Sequence, residues 1–113
     1  MSDAHSATGN TVARRLETLA ELYQHGQASA LMERTLDKLL VYEAETCRTQ
    51  LRQLLTDLAE FEQRCGPSSD VFHARFKSGQ TDDRMHYVEW ASLVQMRDSL
   101  QKRLQLLEGG GPG

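Results

Sequence analysis

Isoleucine is absent from this chain, valine and proline are sparse, and no run of eighteen apolar residues occurs anywhere in it. Each shortage excludes something. Few β-branched residues disfavour sheet, and with leucine dominating the apolar set the balance turns to helix. The prolines, Pro67 and Pro112, leave long stretches in which nothing forbids a helix. Without a long apolar run no segment is expected to cross a membrane as a helix. The opening Met1 to Asn10 lacks the apolar centre of a signal peptide. Cysteine occurs only at Cys47 and Cys65. On one helix these would sit about 27 Å apart, far beyond disulfide reach, so a reduced, cytoplasmic protein is the expectation. A net charge of -3, with both signs interspersed, provides no electrostatic footprint for nucleic acid.

What is present is a long apolar seam. Leu31 to Cys65 reads as one helix, and from Leu40 onward its apolar residues are Leu40, Ala44, Cys47, Leu51, Leu54, Leu58, Phe61 and Cys65. Steps of four and three alternate throughout, the 3.5-residue repeat of a helix committed to a partner helix. Before Leu40 the residues Leu31, Met32, Leu36 and Leu39 break that spacing as a stutter would.

The rest of the chain falls around this rod. Its 113 residues suit one domain. Residues 1–10 read as a disordered tail, 11–108 as a single helical domain and 109–113 as a flexible Gly-rich tail. Asn10 or Thr11 can cap a first helix over Val12 to His25, with Val12, Leu16, Leu19 and Tyr23 as its stripe and Gly26 as its stop. Ser29 is the expected cap of the long helix. Gly66-Pro67 ends it, and Ser68 or Ser69 caps a short helix over Asp70 to Lys77. The last helix is expected over Asp83 to Leu107, capped by Thr81 or Asp82. Its seam is Trp90, Leu93, Leu100, Leu104 and Leu107, interrupted at Arg97, where Met96 can fill the gap.

A short connector returns the second long helix antiparallel to the first. The expected architecture is therefore all-α: a coiled-coil-like helical hairpin with a connector helix and an extra N-terminal helix. Its core is Leu40, Cys47, Leu51, Leu54, Leu58, Phe61, Leu93, Leu100, Leu104 and Leu107. One hairpin layer is a poor monomer, so two copies are expected to pair into a bundle.

No catalytic or cofactor signature emerges. His86 and Glu89 have the reverse order of the Glu-x-x-His pair that di-iron bundles place on two helices, and the pattern occurs once, so no metal is expected. The cysteines lack zinc spacing and fall on the seam, where a thiol acts as a small hydrophobe. Arg48 and Arg52 lie on one helix face, but Glu45 can pair with Arg48, and no DNA-reading motif appears. Phe72, Phe76, Tyr87 and Trp90 gather near the connector. They can plug that end of the core or anchor a partner protein, aromatic residues being frequent hot spots.

The stretch Phe61-Glu62-Gln63-Arg64-Cys65-Gly66-Pro67-Ser68-Ser69-Asp70-Val71-Phe72, then Phe76-Lys77-Ser78-Gly79 and Tyr87-Val88-Glu89-Trp90, resembles a group of small uncharacterised all-helical prokaryotic proteins. That group carries F-E-x-x-Y-G-M-S-S-x-x-F, a gap ending in Gly, an acidic patch and an aromatic-x-E-W element. Some of its members sit beside a small partner gene in the manner of toxin–antitoxin pairs. The likeness covers about Leu16 to Leu107, with Cys65 in place of the Tyr and Pro67 in place of the Met. It implies an interaction protein, antitoxin-like in role, and brings no catalytic residue. The functional expectation is a non-catalytic, homodimeric protein–protein interaction module. The alternatives are a purely structural self-assembling coiled coil and a metal-binding helical bundle.

Overall fold

The computed structural model describes residues 3–82 and 84–109. It contains α1 (Asp3–Gln24), α2 (Ala30–Cys65), α3 (Ser69–Lys77) and α4 (Met85–Gly109), with no strand among the described residues. Two compact units divide the chain, Met1–Lys38 and Leu39–Gly113, where composition suggests one domain over 11–108. Among residues 10–82 and 84–109 every buried one lies in the second unit. The stripe on α1 is too narrow to close a core of its own.

In the first unit α1 begins at Asp3, well ahead of the expected start at Val12. Residues 3–10, read above as tail, are therefore helical, and neither Asn10 nor Thr11 is a cap; Met1 and Ser2 lie outside the described residues. Once a turn is nucleated, each added residue costs only its own ordering, and the alanines at 4 and 7 favour extension. The C-terminus behaves as expected. Gly26 takes φ 67°, and the N–H groups of Gly26 and Gln27 donate to Tyr23 O (3.1 Å) and Leu22 O (2.7 Å), a Schellman closure. Ser29 Oγ accepts from Met32 N–H at 3.1 Å and caps α2. Leu19, Leu22, Met32 and Leu36 are half-buried, while Val12, Leu16 and Leu31 stay exposed. Partial burial first, then the charges of Glu33 and Asp37, hold the Tyr23 phenol above its ordinary pKa.

In the second unit the contacts between α2 and α4 run in opposite senses. Glu43 meets Arg103 at 2.7 Å, Cys47 Sγ donates to Leu100 O at 3.2 Å, and the Phe61 ring lies over Trp90. The helices are thus an antiparallel hairpin from residue 43 to residue 61 of α2. Along the α2 seam Ala44, Cys47, Leu54, Leu58 and Phe61 are buried, and Leu40, Leu51 and Cys65 are half-buried. On α4, Trp90, Ala91 and Val94 are buried, and Leu93, Leu100, Leu104 and Leu107 are half-buried.

Two expectations about side chains are corrected. Met96 does not fill the gap beside Arg97: it is 53% exposed, and Val94 packs inward instead. Glu45 does not take Arg48, which bonds Glu108 across the hairpin at 2.8 Å. The ends of α4 also shift. It starts at Met85, with Val88 N–H donating to Arg84 O and Arg84 N–H to Asp82 Oδ1, and it runs to Gly109, beyond the expected Leu107. Gly109, expected to open the flexible tail 109–113, is therefore helical; Asp83 and residues 110–113 lie outside the described residues.

Candidate functional site

The end of the hairpin near the connector is built from the break outward. Gly66 adopts φ 102°, a backbone region that other residues enter only under strain. Pro67 prevents α2 from continuing, and Ser68 Oγ accepts from Val71 N–H at 3.3 Å to start α3. Glu62, one turn before the break, reaches across it, its Oε2 accepting Ser69 N–H at 2.7 Å. A carboxylate on the first N–H groups of a helix satisfies an otherwise orphaned donor and meets the positive end of the dipole.

With α3 so pinned, Phe72 is laid against Trp90, ring centroids 3.8 Å apart and planes parallel within 1°. Phe61 stacks on the same indole at 5.6 Å, and Phe76 and Tyr87 tilt against Phe72 at 5.7 Å each. The indole N–H donates to Ser69 Oγ at 3.0 Å, so the polar edge of Trp90 is satisfied inside the core. Arg97 closes the outer side: its guanidinium bonds Asp70 at 2.6 Å and Asp98 at 2.9 Å. Burial lowers the Arg97 pKa, but the hydrogen bonds and charges of the two aspartates outweigh it and the net direction is upward.

All four residues offered as partner anchors therefore belong to this plug. Trp90 is 0% and Phe72 2% exposed, so neither has surface to present; Phe76 and Tyr87 are half-buried against them. For Trp90 and Phe72 this corrects the expected anchoring role; Phe76 and Tyr87 keep part of their surface open. The reason is geometric: the Gly66 turn folds α3 back over the hairpin end and covers the aromatic faces.

Beside the plug is a small cavity of about 190 Å³ walled by Cys65, Arg75, Thr81 and Tyr87. Thr81 Oγ1 and His73 Nε2 are buried without a hydrogen-bond partner. Both thiols are free. Among the described residues no group of three or more His, Cys, Asp or Glu converges as a metal site, and no helix is long and apolar enough to cross a membrane.

The larger feature is an open groove of about 750 Å³ along the side of the hairpin. Leu54, Leu93 and Leu100 form its floor, Met96 stands on its wall, and Gln50 and Gln53 edge it. Its one charged lining residue is Asp57, which accepts from Gln53 Nε2 at 3.1 Å. In a chain that is 26% charged, this strip is unusually neutral. Depletion of charge around an apolar floor is the composition of an interface core. The seam residues Leu54, Leu93 and Leu100 were legible from the heptads. The outer wall of α4 lies off that inner seam, and its signal in the sequence is the seven-residue repeat of Met85, Ser92, Ser99 and Leu106. No protein-family model matches this chain, and neither a curated protein nor a solved structure does.

Proposed function

We propose that this chain is a non-catalytic protein–protein interaction module that works as a homodimer, two α2–α4 hairpins pairing into a four-helix core. The observation that carries this reading is the neutral apolar groove between α2 and α4, with Met96 exposed on its wall. A hairpin is one layer, and stable domains bury such a layer against a second. The groove suits a helix better than a reaction. Catalysis of the common kinds needs a nucleophile or acid with a base in reach, whereas the groove lining offers Asp57 together with amides, hydroxyls and hydrocarbon.

The two free thiols suit a reducing cytoplasm. The antitoxin-like role implied by the resemblance would use a further face of the dimer, and Val41 and Tyr42, 56% and 65% exposed on α2, provide apolar surface for it. Sedimentation velocity over a hundredfold concentration range tests the core of the reading. A dimer dissociating on dilution is expected; a well-folded monomer at every concentration would end it.

A further inference from the structure

The outer face of α4 carries a second seam. Met85, Glu89, Ser92, Met96, Ser99, Arg103 and Leu106 follow one another in alternating steps of four and three, and all are exposed. Met85, Met96 and Leu106 are 80%, 53% and 71% exposed, so a helix already buried along one side shows large apolar groups on the other. Helices apolar on two faces sit between two layers.

Read in either direction this seam has the same order of types: apolar, charged, small, methionine, small, charged, apolar. Only the sign of the charge inverts, Glu89 at one side and Arg103 at the other. Such a pattern is complementary to itself when run backwards. We infer that the occupant of this face is the α4 of a second copy, packed antiparallel about a two-fold axis beside Met96. Met96 then meets Met96 of the partner subunit, Ser92 meets Ser99 of the partner subunit, and Met85 meets Leu106 of the partner subunit. Glu89 faces Arg103 of the partner subunit. Arg103 already bonds Glu43 of its own chain at 2.7 Å, and its five donors serve both carboxylates. A parallel pairing would set Glu89 on Glu89 and Arg103 on Arg103, so the charges select against it. The serines let the helices approach closely, and the groove edged by Gln50 and Gln53 receives the flank of the incoming helix.

This inference rests on the homodimer reading and adds its face and register. Met96→Glu and Met96→Cys test it, the cysteine variant on a Cys65→Ser background. Met96 is exposed, so its replacement leaves the hairpin intact, as far-UV circular dichroism will verify. Met96→Glu brings two carboxylates together at the axis, and a dimer Kd at least about 100-fold weaker is expected. Mild oxidation of Met96→Cys yields a disulfide-linked dimer. Mixing Ser92→Cys with Ser99→Cys, each on that background, cross-links the pair, whereas Ser92→Cys alone does not, its thiols being about 10 Å apart along the axis. A wild-type dimer that survives Met96→Glu, or that cross-links in none of these variants, overturns the α4 register and leaves the homodimer standing. A monomeric wild type removes both.

Discussion

Trp90 is the only tryptophan in the chain, and its indole N–H donates at 3.0 Å to the hydroxyl of Ser69, with 0% and 1% of the two residues exposed. Ser69→Ala removes the acceptor and leaves a buried donor unmatched, which costs about 1–3 kcal/mol. For a small domain each kcal/mol corresponds to about 4–8 °C, so the melting midpoint falls by roughly 5–20 °C. Trp90→Phe removes the donor and also narrows the ring stacked between Phe61 and Phe72, so it costs more than Ser69→Ala. The double variant leaves neither partner orphaned and is less destabilised than the sum of the singles by about 1 kcal/mol or more. The assay is urea unfolding of all four proteins by far-UV circular dichroism at one protein concentration. Tryptophan emission, read for the wild type and Ser69→Ala, reports on this site alone. Blue-shifted native emission is expected. Singles that add to the double within about 0.5 kcal/mol would show that the two residues do not interact. Native emission typical of a solvated indole would show that the plug is open, and the packing of α3 described above would be wrong.

Three further outcomes follow from single contacts. Gly66→Ala meets no atom within 4 Å of the new Cβ, so its cost is the backbone strain at φ 102° alone, about 1–3 kcal/mol in chemical denaturation. Arg97→Met keeps the stem and loses the bonds to Asp70 and Asp98; because Asp70 is 80% exposed and rehydrates, the loss is about 1 kcal/mol, and Asp70→Asn loses less. A larger effect of Asp70→Asn than of Arg97→Met would reverse that assignment. The Tyr23 phenol is raised, so the fold binds that proton more tightly than the unfolded chain does. Its contribution to stability is complete below about pH 10 and is lost as pH rises through the raised value. Tyr23→Phe should flatten the alkaline decline, and an unchanged pH–stability curve would contradict the shift.

Much of the fold is written locally. Heptad spacing from Leu40 to Cys65 defines a rod with one wet and one dry side, and a 3.5-residue repeat keeps the dry side turned to a neighbouring helix along its length. Gly26, Ser29, Gly66-Pro67 and Ser68 mark their helix ends because capping depends on the φ of one residue and the side chain of its neighbour. The start of α1 lies beyond such local signals for the complementary reason: helix extension is cooperative, and no residue between 3 and 12 forbids it. The candidate site divides the same way. Aromatic residues clustering near the connector were visible in the sequence, but whether they face a partner or the core depends on which way α3 folds after Gly66. Arg48 had Glu45 within reach on its own helix and took Glu108 on the other, since a neighbouring helix brings charges no sequence window contains. By itself the sequence determined helix content, the breaks and the inner seam, all properties of residues a few positions apart. Only the tertiary structure decided that Trp90 and Phe72 are sealed while Met96 is bare, because burial is set by what arrives from a distant part of the chain.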